Sequence, residues 1–73
     1  MPLKYIEEYH APDYEFNNIV YGPRNSFKGG PEGKAMCQNE CAFIRMMENR
    51  WARPVLMEDG KWIAYASYVK KGE

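Results

Sequence analysis

The sequence predicts an α+β fold: a three- or four-stranded antiparallel sheet with one amphipathic helix packed on one face, in the order β(β)αββ. Three observations carry this. Helical periodicity is strong in one stretch alone, Pro31 to Trp51. Behind it, Pro54 to Val69 holds two apolar runs around Asp59-Gly60, a strong hairpin signal. Ahead of it, Tyr14 to Tyr21 is rich in aromatic and β-branched residues. At 73 residues the chain is a single domain, 1–73, near the smallest size that buries enough surface to fold alone.

Leu3 to Tyr9 alternates as a strand would, although Leu3, Ile6 and Tyr9 also share a helical face; it is read as extended. His10 to Asp13 is a turn, with Pro12 fixing φ and Asp13 offering a local acceptor. Tyr14 to Tyr21 is read as one strand, Tyr14, Phe16 and Val20 on one side and Glu15, Asn17, Ile19 and Tyr21 on the other. Gly22, Pro23, Gly29 and Gly30 then predict a mobile loop from Gly22 to Gly30.

For the helix, Pro31 suits a first position whose N–H needs no partner, and Glu32 meets the positive end of the dipole. At about 100° per residue, Phe43, Met36, Met47, Trp51, Ile44, Cys37 and Cys41 share an arc of roughly 160°, opposite Arg45, Gln38 and Asn49. That arc must be covered. Pro54 biases Arg53 away from helical ψ and is expected to end the element.

A two-residue type I′ turn at Asp59-Gly60 pairs Glu58 with Lys61, Met57 with Trp62, Leu56 with Ile63 and Val55 with Ala64. One face of this ribbon then holds Val55, Met57, Trp62, Ala64, Ala66 and Tyr68, the other Leu56, Ile63, Tyr65, Ser67 and Val69. Both are apolar, whereas an antiparallel sheet commonly has one wet face. Small Ala64 and Ala66 let a helix approach, so their face is assigned inward, leaving the other open or covered by a partner.

Apolar residues at 45% and aromatics at 15% argue against disorder. Ten basic residues balance ten acidic ones, so no global field steers a polyanion. No apolar run nears the roughly 20 residues of a membrane span, and no secretory leader pattern opens the sequence, so a soluble cytoplasmic protein without membrane contact is expected. Cys37 and Cys41, four apart on a helix, hold their Cβ atoms about 5–6 Å apart, beyond the roughly 3.5–4.5 Å of a disulfide, and are expected as reduced thiols.

No motif specifies a chemistry. Gly29, Gly30, Gly33 and Lys34 miss the spacing and the hydroxyl of a phosphate loop. His10, Cys37 and Cys41 are one short of a structural zinc set, with Glu40 a fourth only if its direction agreed. No cysteine nucleophile paired with His10 is supported. Hence no catalytic residue, metal or cofactor is assigned. Glu40, inside the apolar arc, belongs either at a domain edge bonded to a tyrosine or lysine, or where a partner docks.

The expectation is a small non-enzymatic protein-binding module, in the size range of phage and mobile-element inhibitors and adaptors, acting on a protein partner or as a homodimer. Its expected contacts are Leu56, Ile63, Tyr65 and Val69 on the open sheet face, with Arg53 at the rim. For that surface to exist, those apolar residues must lie uncovered. The alternative is nucleic-acid or anion binding through Arg24, Phe27, Lys28 and Lys34 around the helix N-terminus.

Overall fold

The computed structural model describes residues 11–72. Leu3 to Tyr9 and His10 lie outside the described residues. Four strands, β1 (Tyr14–Phe16), β2 (Ile19–Phe27), β3 (Arg50–Leu56) and β4 (Trp62–Lys70), form one antiparallel sheet in the order β1-β2-β4-β3. Between β2 and β3 runs α1 (Gly30–Phe43), continued by a π-helical turn, Ile44–Glu48. The predicted class and element order hold.

The stretch read as a single first strand is itself a hairpin. Asn17 and Asn18 sit at φ 55° and 64°, the left-handed pair that a two-residue type I′ turn requires, and Phe16 pairs with Ile19. Asparagine tolerates that region because its short polar side chain bonds locally. Tyr14, Phe16, Ile19 and Tyr21 therefore share one face.

The predicted loop from Gly22 onward is mostly strand, since β2 runs on to Phe27 against β4. Pro23 is tolerated because it falls beyond the last β1 pair, Tyr14 with Tyr21, where β2 has a free edge, and the ladder to β4 slips at Arg24.

The helix stops sooner than Pro54 implies. Asn49, at φ 58° and ψ 43°, caps it in the left-handed conformation. Trp51 thus belongs to β3, and Pro54 lies within that edge strand, where a missing N–H is harmless.

The second hairpin has the predicted turn residues but a different register. Gly60 N–H donates to Met57 O (2.9 Å), Met57 N–H donates to Lys61 O (2.8 Å), and Gly60 alone of the tip residues has positive φ, at 91°. This is a three-residue loop with a bulge at glycine, so Val55 pairs with Ile63 and Leu56 with Trp62. One residue of slip moves Val55 and Met57 to the face opposite the helix.

On the helix side, Cys37, Cys41 and Ile44 pack on Ala52, Ala64 and Ala66, flanked by Phe27 and Trp62. The alanines bring the helix close, as expected. Gly33 seats its first turn: a Cβ there would overlap the carbonyl oxygen of Lys28.

On the other side, Tyr21, Ile63 and Tyr65 form a second core with Ala11, Tyr14, Ile19, Val55 and Met57 around them. Tyr14 stacks on Tyr21 (5.2 Å between centroids) and meets Tyr65 edge-on (4.8 Å). Tyr65 Oη donates to Pro12 O at 2.9 Å. Arg53 of β3 donates from Nε to Tyr14 Oη (3.0 Å) and lies 3.8 Å from the Phe16 ring centroid, both on β1. Since β1 and β3 are opposite edges of the sheet, it must curl until they meet.

Candidate functional site

The curl removes the surface that the sequence suggested. Ile63 and Tyr65 are 0% and 2% exposed, so neither is available to a partner. Leu56 and Val69 are exposed but belong to opposite ends of the ribbon: Leu56 pairs with Trp62, seven residues from Val69 along β4, roughly 20 Å at the rise of a strand. Arg53 is committed to Tyr14 and Phe16. The physical reason is that three residues of β1 and the segment leading into it supply the second lid that a single helix could not.

The basic set is not assembled either. Arg24 makes two bonds to the Glu48 carboxylate, Nη1 to Oε1 at 3.0 Å and Nη2 to Oε2 at 2.7 Å. That bond raises the Arg24 pKa, with the nearby Glu48 and Glu40 charges adding to it, and correspondingly lowers that of Glu48. Glu40 is half-buried, and its charge acts on this guanidinium as well as on Cys37 and Cys41. Phe27 packs into the helix-side core, and Lys34 Nζ stands 5.5 Å from the Trp62 ring centroid, leaving Lys28 exposed beside them.

Arg50 completes the cluster with Glu48 (Nε to Oε1, 3.5 Å) while serving the backbone. In β4, Ser67, Tyr68 and Val69 stand against Trp51 alone, where the ladder is irregular. Arg50 Nη1 donates to Ser67 O (3.1 Å) and Tyr68 O (2.6 Å), and Ser67 Oγ accepts the Trp51 N–H (3.1 Å) and donates to Val69 O (2.6 Å). These groups stand in for the missing ladder bonds and are spoken for.

Cys37 and Cys41 are free and fully buried. Their mutual hydrogen bond, and then burial, push the Cys37 thiol well above the ordinary range, so it holds its proton at neutral pH. Among the described residues no group of three or more His, Cys, Asp or Glu is placed to hold a metal ion, and no helix is long and apolar enough to cross a membrane.

Besides strand residues such as Leu56, Tyr68 and Val69, the molecule exposes the outer side of its helix. Met36, Phe43, Met47 and Met46 are 55%, 53%, 68% and 79% exposed. Met36, Phe43 and Met47 fall within about 40° of one another on a helical wheel, roughly 90° from the buried line of Gly33, Cys37, Cys41 and Ile44. The π turn rotates less per residue than an α turn, which keeps Met47 in line with Phe43 and carries Met46 farther from that line. With about 200 Å² for a large side chain, these exposures leave about 500 Å² uncovered, the upper part of the range for a monomer's largest apolar patch.

The helical wheel of the sequence already contains three of these residues; the unread signal was the width of its arc. A sheet that meets the helix through alanines covers only a narrow stripe. Comparison with protein families, with curated proteins and with solved structures finds no match to this chain.

Proposed function

We propose that this protein is non-enzymatic and acts by contact, docking the outer face of its helix on a protein surface in the manner of a small inhibitor or adaptor. The observation that carries this is the aligned exposure of Met36, Phe43 and Met47, with Met46 beside them, on a helix whose other apolar line is fully covered. Amphipathic helices bind partners by laying such a face in an apolar groove, and methionine adapts to imperfectly matched surfaces. Ile63 and Tyr65 are covered, and although the strands also expose Phe16, Val20, Trp51, Leu56, Tyr68 and Val69, the helix residues are the ones aligned on one helical stripe.

Affinity purification from the native host, comparing the wild type with a Phe43→Asp, Met47→Asp double variant, tests this. Loss of one defined partner by a variant of unchanged circular dichroism is expected. Equal recovery of that partner by both chains would refute a role for the helix face.

A further inference from the structure

We propose that the seam where the sheet closes on itself, a site separate from the helix face, binds a small aromatic carboxylate: one ring joined to one negative group. The curl brings the β1–β2 hairpin against the outer edge of β3, and a cleft of about 250 Å³ stays open between them. Its base is apolar, from the buried Tyr21 and Ala52 with the half-buried Ile19 beside them. At its rim stand the exposed rings of Phe16 and Trp51.

Arg53 is the one charged residue lining this cleft, and its hydrogen-bonding capacity is only partly used. Nε donates to Tyr14 Oη and one face of the guanidinium lies on Phe16, while the two Nη groups make no hydrogen bond or ion pair with any described residue. Two such groups on one rigid fork match the two oxygens of a carboxylate. Neither of the other clefts described has this surplus. Over Ser67 and Tyr68, Arg24 and Arg50 already meet the Glu48 carboxylate, and beside Pro12 the wall holds Glu58 and Asp59 with no cation. Charge complementarity therefore places an anion at the seam.

Volume and rim define the rest of the molecule. Pockets for drug-sized ligands run to roughly 300–1,000 Å³, so this cleft suits a single ring with a short acidic arm. Arg53 covers one face of Phe16, and Lys71 Nζ stands 5.1 Å from the Trp51 ring centroid. Neither ring stacks on another aromatic side chain among the described residues. Both can therefore take a further ring, offset or edge-on.

Titrating the isotope-labelled full chain with 3-phenylpropionate, followed by two-dimensional amide NMR, tests this. Shifts at the Trp51 indole N–H and at amides over 16–21 and 51–53 are expected to saturate together at about millimolar concentration, ordinary for so few atoms. The uncharged 3-phenylpropionamide is expected to bind about tenfold more weakly, and propionate, without the ring, to leave those signals in place. Arg53→Met is expected to weaken binding about as much as the amide does. Trp51→Leu, a rim change that leaves the bond from Arg53 to Tyr14 intact, is expected to weaken it severalfold with the rest of the spectrum unchanged; it decides the matter if Arg53→Met disturbs the hairpin. Equal affinity for acid and amide, unaltered affinity in Trp51→Leu, shifts centred on Met57 and Asp59 instead of the seam, or no saturable shift would overturn the site.

Discussion

Truncating Ile44 and Met47 to alanine, one at a time, separates the covered part of the helix from the open part. Ile44 is fully buried against the sheet alanines, and alanine removes three carbons from it. At about 0.8 kcal/mol per buried methylene the transfer loss is about 2.4 kcal/mol. The cavity left behind raises this to about 3–4 kcal/mol, within the span seen for isoleucine truncations. For a chain of this length, whose stability is of order 4–11 kcal/mol, that is a large share. Met47 is mostly exposed, so its truncation costs less than about 1 kcal/mol. Urea unfolding followed by the fluorescence of Trp51 and Trp62 reads the difference. With a slope near 1 kcal/mol per molar, Ile44→Ala lowers the midpoint by about 3 M, and Met47→Ala by less than about 1 M. Equal losses, or a larger one at Met47, would refute the division of the apolar arc.

Gly33→Ala is expected to lose about 1–3 kcal/mol despite the better helix propensity of alanine, because its Cβ meets the Lys28 carbonyl; a raised melting temperature would contradict this. Glu48, whose carboxyl is held below its ordinary 4.5 by Arg24, contributes stability that is present above that value and lost as pH falls through the folded one. Urea midpoints are therefore expected to fall below about pH 4.5, and Glu48→Gln to flatten that acid limb; an unchanged slope counts against the ion pair. Arg53→Met removes the bond to Tyr14 and the stacking on Phe16 at a cost of about 1–2 kcal/mol. Hydrogen exchange over 14–21 is expected to quicken while β4 stays protected, and unchanged exchange in that hairpin argues against the closure of β1 on β3.

The class and order of elements were legible because they rest on long, repeated patterns: the helical period, two apolar runs and the Asp59-Gly60 tip. Register was not, because Asp-Gly serves both a two-residue turn and a three-residue loop with a glycine bulge, and the choice lies in backbone geometry at Glu58 and Asp59. Asn17-Asn18 was hidden inside an aromatic run that reads as one strand, although two asparagines in sequence are a usable turn signal. The helix end was hidden for a related reason: Asn49 is a left-handed cap, while the more conspicuous Pro54 is an edge-strand residue.

The contact surface was misplaced by a question of shape. A flat ribbon would have left Ile63 and Tyr65 bare, but curling lets Arg53 reach across to Tyr14 and Phe16, and Tyr65 reach Pro12. Nothing in the pattern of side chains states a sheet's curvature. The helix, judged apolar enough to need a lid, proves to be wider than the lid it receives.

Hydroxyl-radical footprinting, scored by mass spectrometry against the unfolded chain, tests the open helix and sealed sheet most directly. Met36, Met46 and Met47 are expected to label freely, with Ile63 and Tyr65 shielded. Ready labelling of Ile63 and Tyr65, or methionines shielded as fully as those two, would contradict it.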